Sequence, residues 1–265
     1  MKEEIKNFII HFAQEKDKGG LIPGIWREPL VAFGDATQGE IAQLRQLVHP
    51  EHVLPKEILP TGKTIIAYFF PFTKEIGNSN KNGRFSSREW AMAYEKTNAA
   101  LGDLATALIA YLAENGAQAA VTPEATRYDE KLLKSKWSQR HIAYFCGLGT
   151  LGKNNMLITQ AGCCGRVGTI VTDLELTPDP LIKEEYCLYK QDSNTCGACI
   201  QRCPSQALTP EGYDRKLCNN LCAENANLHI GYGSSYTLDQ ADQAIVGTNT
   251  CGKCVVGLPC TYRKP

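Results

Sequence analysis

The sequence predicts an α+β protein in two parts, a cysteine-poor body followed by a cysteine-rich, cluster-binding tail. Three observations lead there. Helical and strand-like apolar patterns follow one another through the first two thirds of the chain, around one long apolar helix. Of 12 cysteines, Cys146, Cys163 and Cys164 lie in the body, and the other nine fall between Cys187 and Cys260. The run CGACIQRCP, residues 196–204, has the spacing of the last three cysteines of the bacterial ferredoxin motif C-x2-C-x2-C-x3-C-P.

Taken in order, residues 2–16 place Ile5, Phe8, Ile9 and Phe12 at helical spacing. A Pro/Gly-interrupted stretch follows, from Gly19 to about Pro60, with a short helical pattern over Gln38–Val48. Thr64–Phe70 (TIIAYFF) is continuously apolar, as in a strand covered on both faces. Ser87 to Asn115 is the longest helical pattern, with Ser86 or Ser87 as N-cap and Gly116 as its stop. Ala117–Thr122 reads as a strand, Lys131–Phe145 as a helix, and Met156–Thr159 and Val167–Asp173 as short strands. Pro178 and Pro180 then interrupt regular structure. The body is therefore 1–176 and the tail 177–265.

Composition narrows the function classes. The 28 basic and 28 acidic side chains cancel, so no basic excess serves a broad nucleic-acid surface. Hydrophobic residues at 43% and charged residues at 21% exclude disorder. No apolar run approaches the roughly 20 residues that span a bilayer. The N-terminus reads as a helix start rather than a secretory signal, so a cytoplasmic protein without membrane association is expected. In a reducing compartment the tail cysteines point to metal rather than disulfides.

A cubane needs four thiolates converging from different directions. Ser193 stands where the motif's first cysteine belongs, and Cys187 can replace it through a longer loop. In two-cluster proteins the cysteine before proline serves the other cluster. Interleaving then assigns Cys187, Cys196, Cys199 and Cys260 to one [4Fe-4S] cluster, and Cys203, Cys218, Cys251 and Cys254 to the other. Cys222 is the alternative to Cys218, on the same helix face. A four-cysteine zinc site from two C-x2-C pairs is the competing reading, although nine cysteines exceed what one zinc needs.

In the body, Gly147-x-Gly149-x-x-Gly152 matches the dinucleotide fingerprint by letter. The element order is reversed, with a helix before it and a strand after. A helix C-terminus and close-approach loop fit better. Cys163 and Cys164 read as small packing residues of a glycine-rich turn, and Cys146 as core.

The combination GLGTLGK (147–153), the strand at 156–159, GTIVTD (168–173) and the cysteine run 196–204 resembles the epoxyqueuosine reductase family, which is related to cobalamin-dependent reductive dehalogenases. WREPLVAF and KTIIAYFFPF resemble its shorter branch. The resemblance implies a nitroreductase-like α/β body holding cobalamin, and a ferredoxin-like module with two [4Fe-4S] clusters. Arg140, His141, Gly147, Gly149, Gly152, Lys153, Met156 and Leu157 would then lie against the corrin. That family's proton-donor aspartate falls near Leu133 here, leaving Tyr128, Asp129 and Glu130 as candidates from the preceding turn. The helical-repeat extension that holds tRNA has no counterpart before Pro265, so tRNA is not expected as substrate.

The function implied is an iron–sulfur oxidoreductase. It takes electrons from a donor such as a ferredoxin or flavodoxin and acts on a small molecule or a corrinoid protein. Two alternatives stay open: a ferredoxin-type electron-transfer adaptor for a partner such as a corrinoid protein, and an FMN-dependent reductase.

Overall fold

In the computed structural model, which describes residues 1–18, 22, 24–123, 128–233 and 247–265, the N-terminal segment is helix α1 (Lys2–Asp17), with Ile5 and Ile9 buried. Strand β1 (Leu30–Asp35), a 3-10 turn (Gly39–Gln43), α2 (Leu44–Leu47) and α3 (Pro55–Ile58) follow. Then come β2 (Thr64–Pro71), α4 (Lys74–Ser79) and α5 (Arg88–Glu114). Ser87 is the N-cap of α5, its hydroxyl accepting from the Trp90 amide at 3.0 Å.

β3 (Ala119–Ala120) is shorter than the strand expected over 117–122. The helix expected over 131–145 is not there. Residues β4 (Tyr128–Asp129) and β5 (Lys134–Ser135) form a hairpin, and helix α6 occupies only Gln139–Phe145. The reason is local: Asp129 Oδ1 accepts from the Leu132 amide at 2.8 Å, and Leu133 sits at φ 51°. That side-chain turn competes with the helical ladder and prevails. After α6 come β6 (Thr150–Leu151), its hairpin partner β7 (Leu157–Ile158), and β8 (Gly165–Thr172).

The main sheet is antiparallel, in the order β1-β2-β8-β3. Every residue of β2 is buried, as its unbroken apolar run predicts. Alternation along β2 sends Ile66, Tyr68 and Phe70 into a core with Leu104, Leu108 and Leu112 of α5. Ile65, Ala67 and Phe69 enter a second core with Ile142, Ala143 and Cys146 on the α6 side. Three layers result: α1 and α5, the sheet, and α6 with α2.

Beyond β8 the chain returns along the edge strand β1. The Asp179 amide donates to Phe33 O at 2.7 Å, and Asp179 Oδ2 accepts from the Phe33 amide at 2.9 Å. The tail holds α7 (Leu188–Gln191), α8 (Ala198–Gln201) and α9 (Arg215–Leu228). It is fastened to the body at several points. Asn80 Nδ2 donates to Cys251 O (2.8 Å), Trp90 Nε1 to Thr250 Oγ1 (3.2 Å), and Ser86 Oγ to Asn225 Oδ1 (2.7 Å). Among the described residues, no helix is long and apolar enough to cross a membrane.

Candidate metal centre

A cleft is lined by Cys187, Cys196, Cys199 and Cys260. Three different segments deliver these thiols. Cys187 is the N-cap of α7, Cys196 and Cys199 straddle the Gly197 turn into α8, and Cys260 lies near the C-terminus. Gly197 takes φ 139°, a backbone state that glycine reaches without strain. Burial, and then the neighbouring Cys187, Cys260 and Cys196 thiols, push the Cys199 thiol up to about 11.

A second set surrounds Cys254. Burial and the electrostatic neighbours Cys251, Cys218, Cys203 and Cys199 push its thiol well above the ordinary range. Cys218 and Cys222 stand one turn apart on α9 and hydrogen-bond each other. That bond lowers Cys218 to about 6, assisted by Tyr213, Arg140 and Arg215, and raises Cys222. Cys222 also neighbours Cys251 and Cys254, so it stands beside Cys218 as a donor of this set. Cys199 neighbours Cys254, which makes the two thiol sets adjacent.

The donor set suits polynuclear iron–sulfur groups. Among the described residues, no three His, Cys, Asp or Glu side chains stand close enough to hold a single metal ion. The four ligands expected for one cluster line the cleft, and Cys203, Cys218 and Cys251 are electrostatic neighbours of Cys254. Crowded, buried thiolates repel one another, and a cationic iron core would offset that repulsion.

The glycine loop meets this centre at its tip. Gly152 and Lys153 line the thiol cleft, and the Lys153 amide donates to Cys187 Sγ at 3.4 Å. Lys153 Nζ reaches Pro210 O at 2.7 Å. The other glycines serve the chain itself. Gly147 (φ 76°) closes α6 in a Schellman pair: its amide donates to Tyr144 O (2.9 Å) and the Leu148 amide to Ala143 O (3.1 Å). A Cβ there would meet Pro180 O at 2.4 Å, and one at Gly149 would meet Ile158 O at 2.2 Å. These are the close approaches expected of a cofactor loop, made instead to the protein's own backbone. Leu157, expected against a cofactor, is 2% exposed in the α6-side core.

Arg140 Nη1 donates to Asn155 O and to Met156 Sδ (3.0 Å). His141 Nδ1 pairs with Ser138 Oγ at 2.7 Å, and burial, then Arg140, lower its pKa to about 4. Tyr128 and Glu130 are exposed. Asp129 pairs with His49 at 3.3 Å, and the Leu132 amide and His49 hold its carboxyl below the usual range. It is therefore an ionised acceptor at neutral pH, a poor match to the proton-donor expectation.

Two residues were not foreseen. Asn154 Nδ2 donates to Cys254 O at 2.6 Å, so one loop touches both thiol sets. Cys163 is a packing residue, as expected, but its Sγ also lies 3.8 Å from Cys260 Sγ. In sequence, the only signal was their position beside the glycine motif and in a Cys-Cys pair.

No protein-family model matches the chain. It is 34% identical over 128 residues to a tetrachloroethene reductive dehalogenase of Desulfitobacterium hafniense, covering 45% of this chain and 20% of that protein. It is 27% identical over 178 residues to the epoxyqueuosine reductase of Synechocystis sp. (strain PCC 6803), covering 64% of this chain and 54% of that protein. A solved epoxyqueuosine reductase, in complex with an epoxyqueuosine-modified tRNA-Tyr stem loop, shares the fold. Its TM-score is 0.57 at 17% identity, over 98% of this chain and 66% of that one. The chain thus spans between a fifth and about half of the length of these two curated relatives.

Proposed function

From its relation to the epoxyqueuosine reductases and reductive dehalogenases, we propose that this chain is an iron–sulfur oxidoreductase that carries two [4Fe-4S] clusters in its tail. The observation that carries this reading is the grouping of the tail cysteines, with Cys187, Cys196, Cys199 and Cys260 lining one cleft and Cys203, Cys218 and Cys251 among the electrostatic neighbours of Cys254. Cys187, Cys196, Cys199 and Cys260 would hold one cluster and Cys203, Cys218, Cys251 and Cys254 the other, and clusters held there would supply one-electron transfer from an external donor such as a ferredoxin or flavodoxin. The chain's own part is to hold them there. Lys153 and Asn154 tie the glycine loop to Cys187 and Cys254, and Asn80 with Lys253 ties the Cys251–Cys254 turn to the body.

The acceptor in this proposal is a corrinoid in a nitroreductase-like body, which when bound supplies low-potential, nucleophilic cobalt. Its support is the relation to corrinoid-using families. Of the residues expected against the corrin, Gly147 and Gly149 close on the chain's own backbone, and Leu157 is core. The same observation favours a second reading, an electron-transfer adaptor that reduces a partner's cofactor. Because a structural neighbour binds a tRNA stem loop, tRNA belongs in any substrate screen despite the chain's neutral charge.

The test is anaerobic purification of the full chain, with iron, sulfide, zinc and cobalt assays and visible spectra after cobalamin or FMN is offered. About eight irons per chain are expected. Cys187→Ser and Cys254→Ser should each remove about half of them. Saturable cobalamin binding supports the reductase, full iron without cobalamin or flavin binding supports the adaptor, and zinc in place of iron overturns both.

A further inference from the structure

We infer that Cys163, a residue of the body, is a positioning residue for the thiol cleft: its S–H donates to Cys260 Sγ and so sets the reduction potential of the cluster held there. This rests on the cluster reading above.

The geometry is built by the backbone. The Cys163 amide donates to Cys260 O at 2.9 Å, and the Cys164 amide to Thr261 O at 3.1 Å. Gly162 lets the two segments close, since a Cβ there would meet Thr261 O at 2.4 Å. The C-terminal segment is thereby held against the 162–164 turn, with the two sulfurs 3.8 Å apart. Cys163 is 1% exposed and does not line the cleft, whereas Cys260 does.

The direction of the bond follows from chemistry. A cluster-ligating sulfur is a thiolate, which accepts and cannot donate. Cys163 must then be the donor. Val255 O, 3.9 Å from Cys163 Sγ, is a competing acceptor, but a neutral carbonyl is weaker than a charged sulfur. A donor aimed at a ligand sulfur stabilises the more negative, reduced cluster and raises its potential. The Lys153 amide on Cys187 acts in the same sense from the same body. Docking of the tail, rather than the tail alone, therefore tunes this cluster.

The experiment uses the anaerobically purified full chain, with Cys163→Ala and Cys163→Val as donor-free variants and Cys163→Ser as a donor-keeping one. Iron content and potentiometric titration followed by EPR are the readouts. The expected result is full iron in all variants. One of the two midpoints should move to a more negative potential in whichever donor-free variant folds, the other should stay in place, and serine should restore much of the shift. Unchanged midpoints with full iron would overturn the inference and leave the cluster reading intact. Loss of half the iron in both donor-free and serine variants would make Cys163 a ligand, which also overturns it. A wild-type chain without iron would sink both.

Discussion

Gly147 shows how much one residue type decides. Its φ of 76° and the Pro180 carbonyl oxygen, which a Cβ would strike, exclude any side chain without strain. Gly147→Ala should cost roughly 1–3 kcal/mol, read as a lower denaturant midpoint at unchanged slope. The letter pattern around it suggested a phosphate or cofactor loop, but a glycine's freedom serves a helix stop equally well, and sequence does not distinguish them. His52 makes a second residue-scale case. It is fully buried, its Nε2 accepts from the Ser138 amide at 3.0 Å, and its Nδ1 donates to Val53 O at 2.8 Å. Burial lowers its pKa from 6.5 to about 4. The unfolded chain takes up a proton near 6.5, whereas the folded one resists until about 4. Stability should therefore rise with pH across that window and fall on acidification. Chemical denaturation at several pH values should show a flatter profile for His52→Asn.

At the scale of the element, β2 and α5 were legible because each carries a complete local signal. The apolar run of β2 has one way to hide both faces, and Ser87 caps a long helix whose apolar stripe reaches Leu112. Ser87→Ala should cost roughly 0.5–2 kcal/mol in stability without moving the metal content. The segment 131–145 was not legible. Its Leu132 and Leu133 fit helical spacing, yet the Asp129 side chain captured the backbone and made a hairpin. The 150–158 hairpin was equally hidden, since its two-residue strands are too short to show a period.

For the whole molecule, the decisive feature is how the tail is fastened. Arg27 donates to Phe72 O (3.0 Å), Ala161 O (2.7 Å) and Tyr262 O (3.1 Å), joining three distant segments through one guanidinium. Arg27→Ala should leave those carbonyls poorly satisfied, cost roughly 2–3 kcal/mol, and speed proteolytic trimming of the C-terminal segment. Trp90 and Gly252 make a second fastening, the indole filling the space a Cβ at Gly252 would need. Sequence placed the tail after the body, but nothing in it said that the last residues would pair with the 162–164 turn.

Cysteine spacing, a β-branched run and helix caps are properties of neighbouring residues, and from them the sequence alone determined the mixed α and β character and the long helix and proposed two interleaved thiol groups. Tertiary structure decided the rest: that the glycine loop points its tip at the thiol cleft, that Gly147 and Gly149 serve packing, and that Cys163 meets Cys260. Those contacts join residues as many as 97 positions apart. Their formation depends on which surfaces bury against each other, a choice that no short-range pattern encodes.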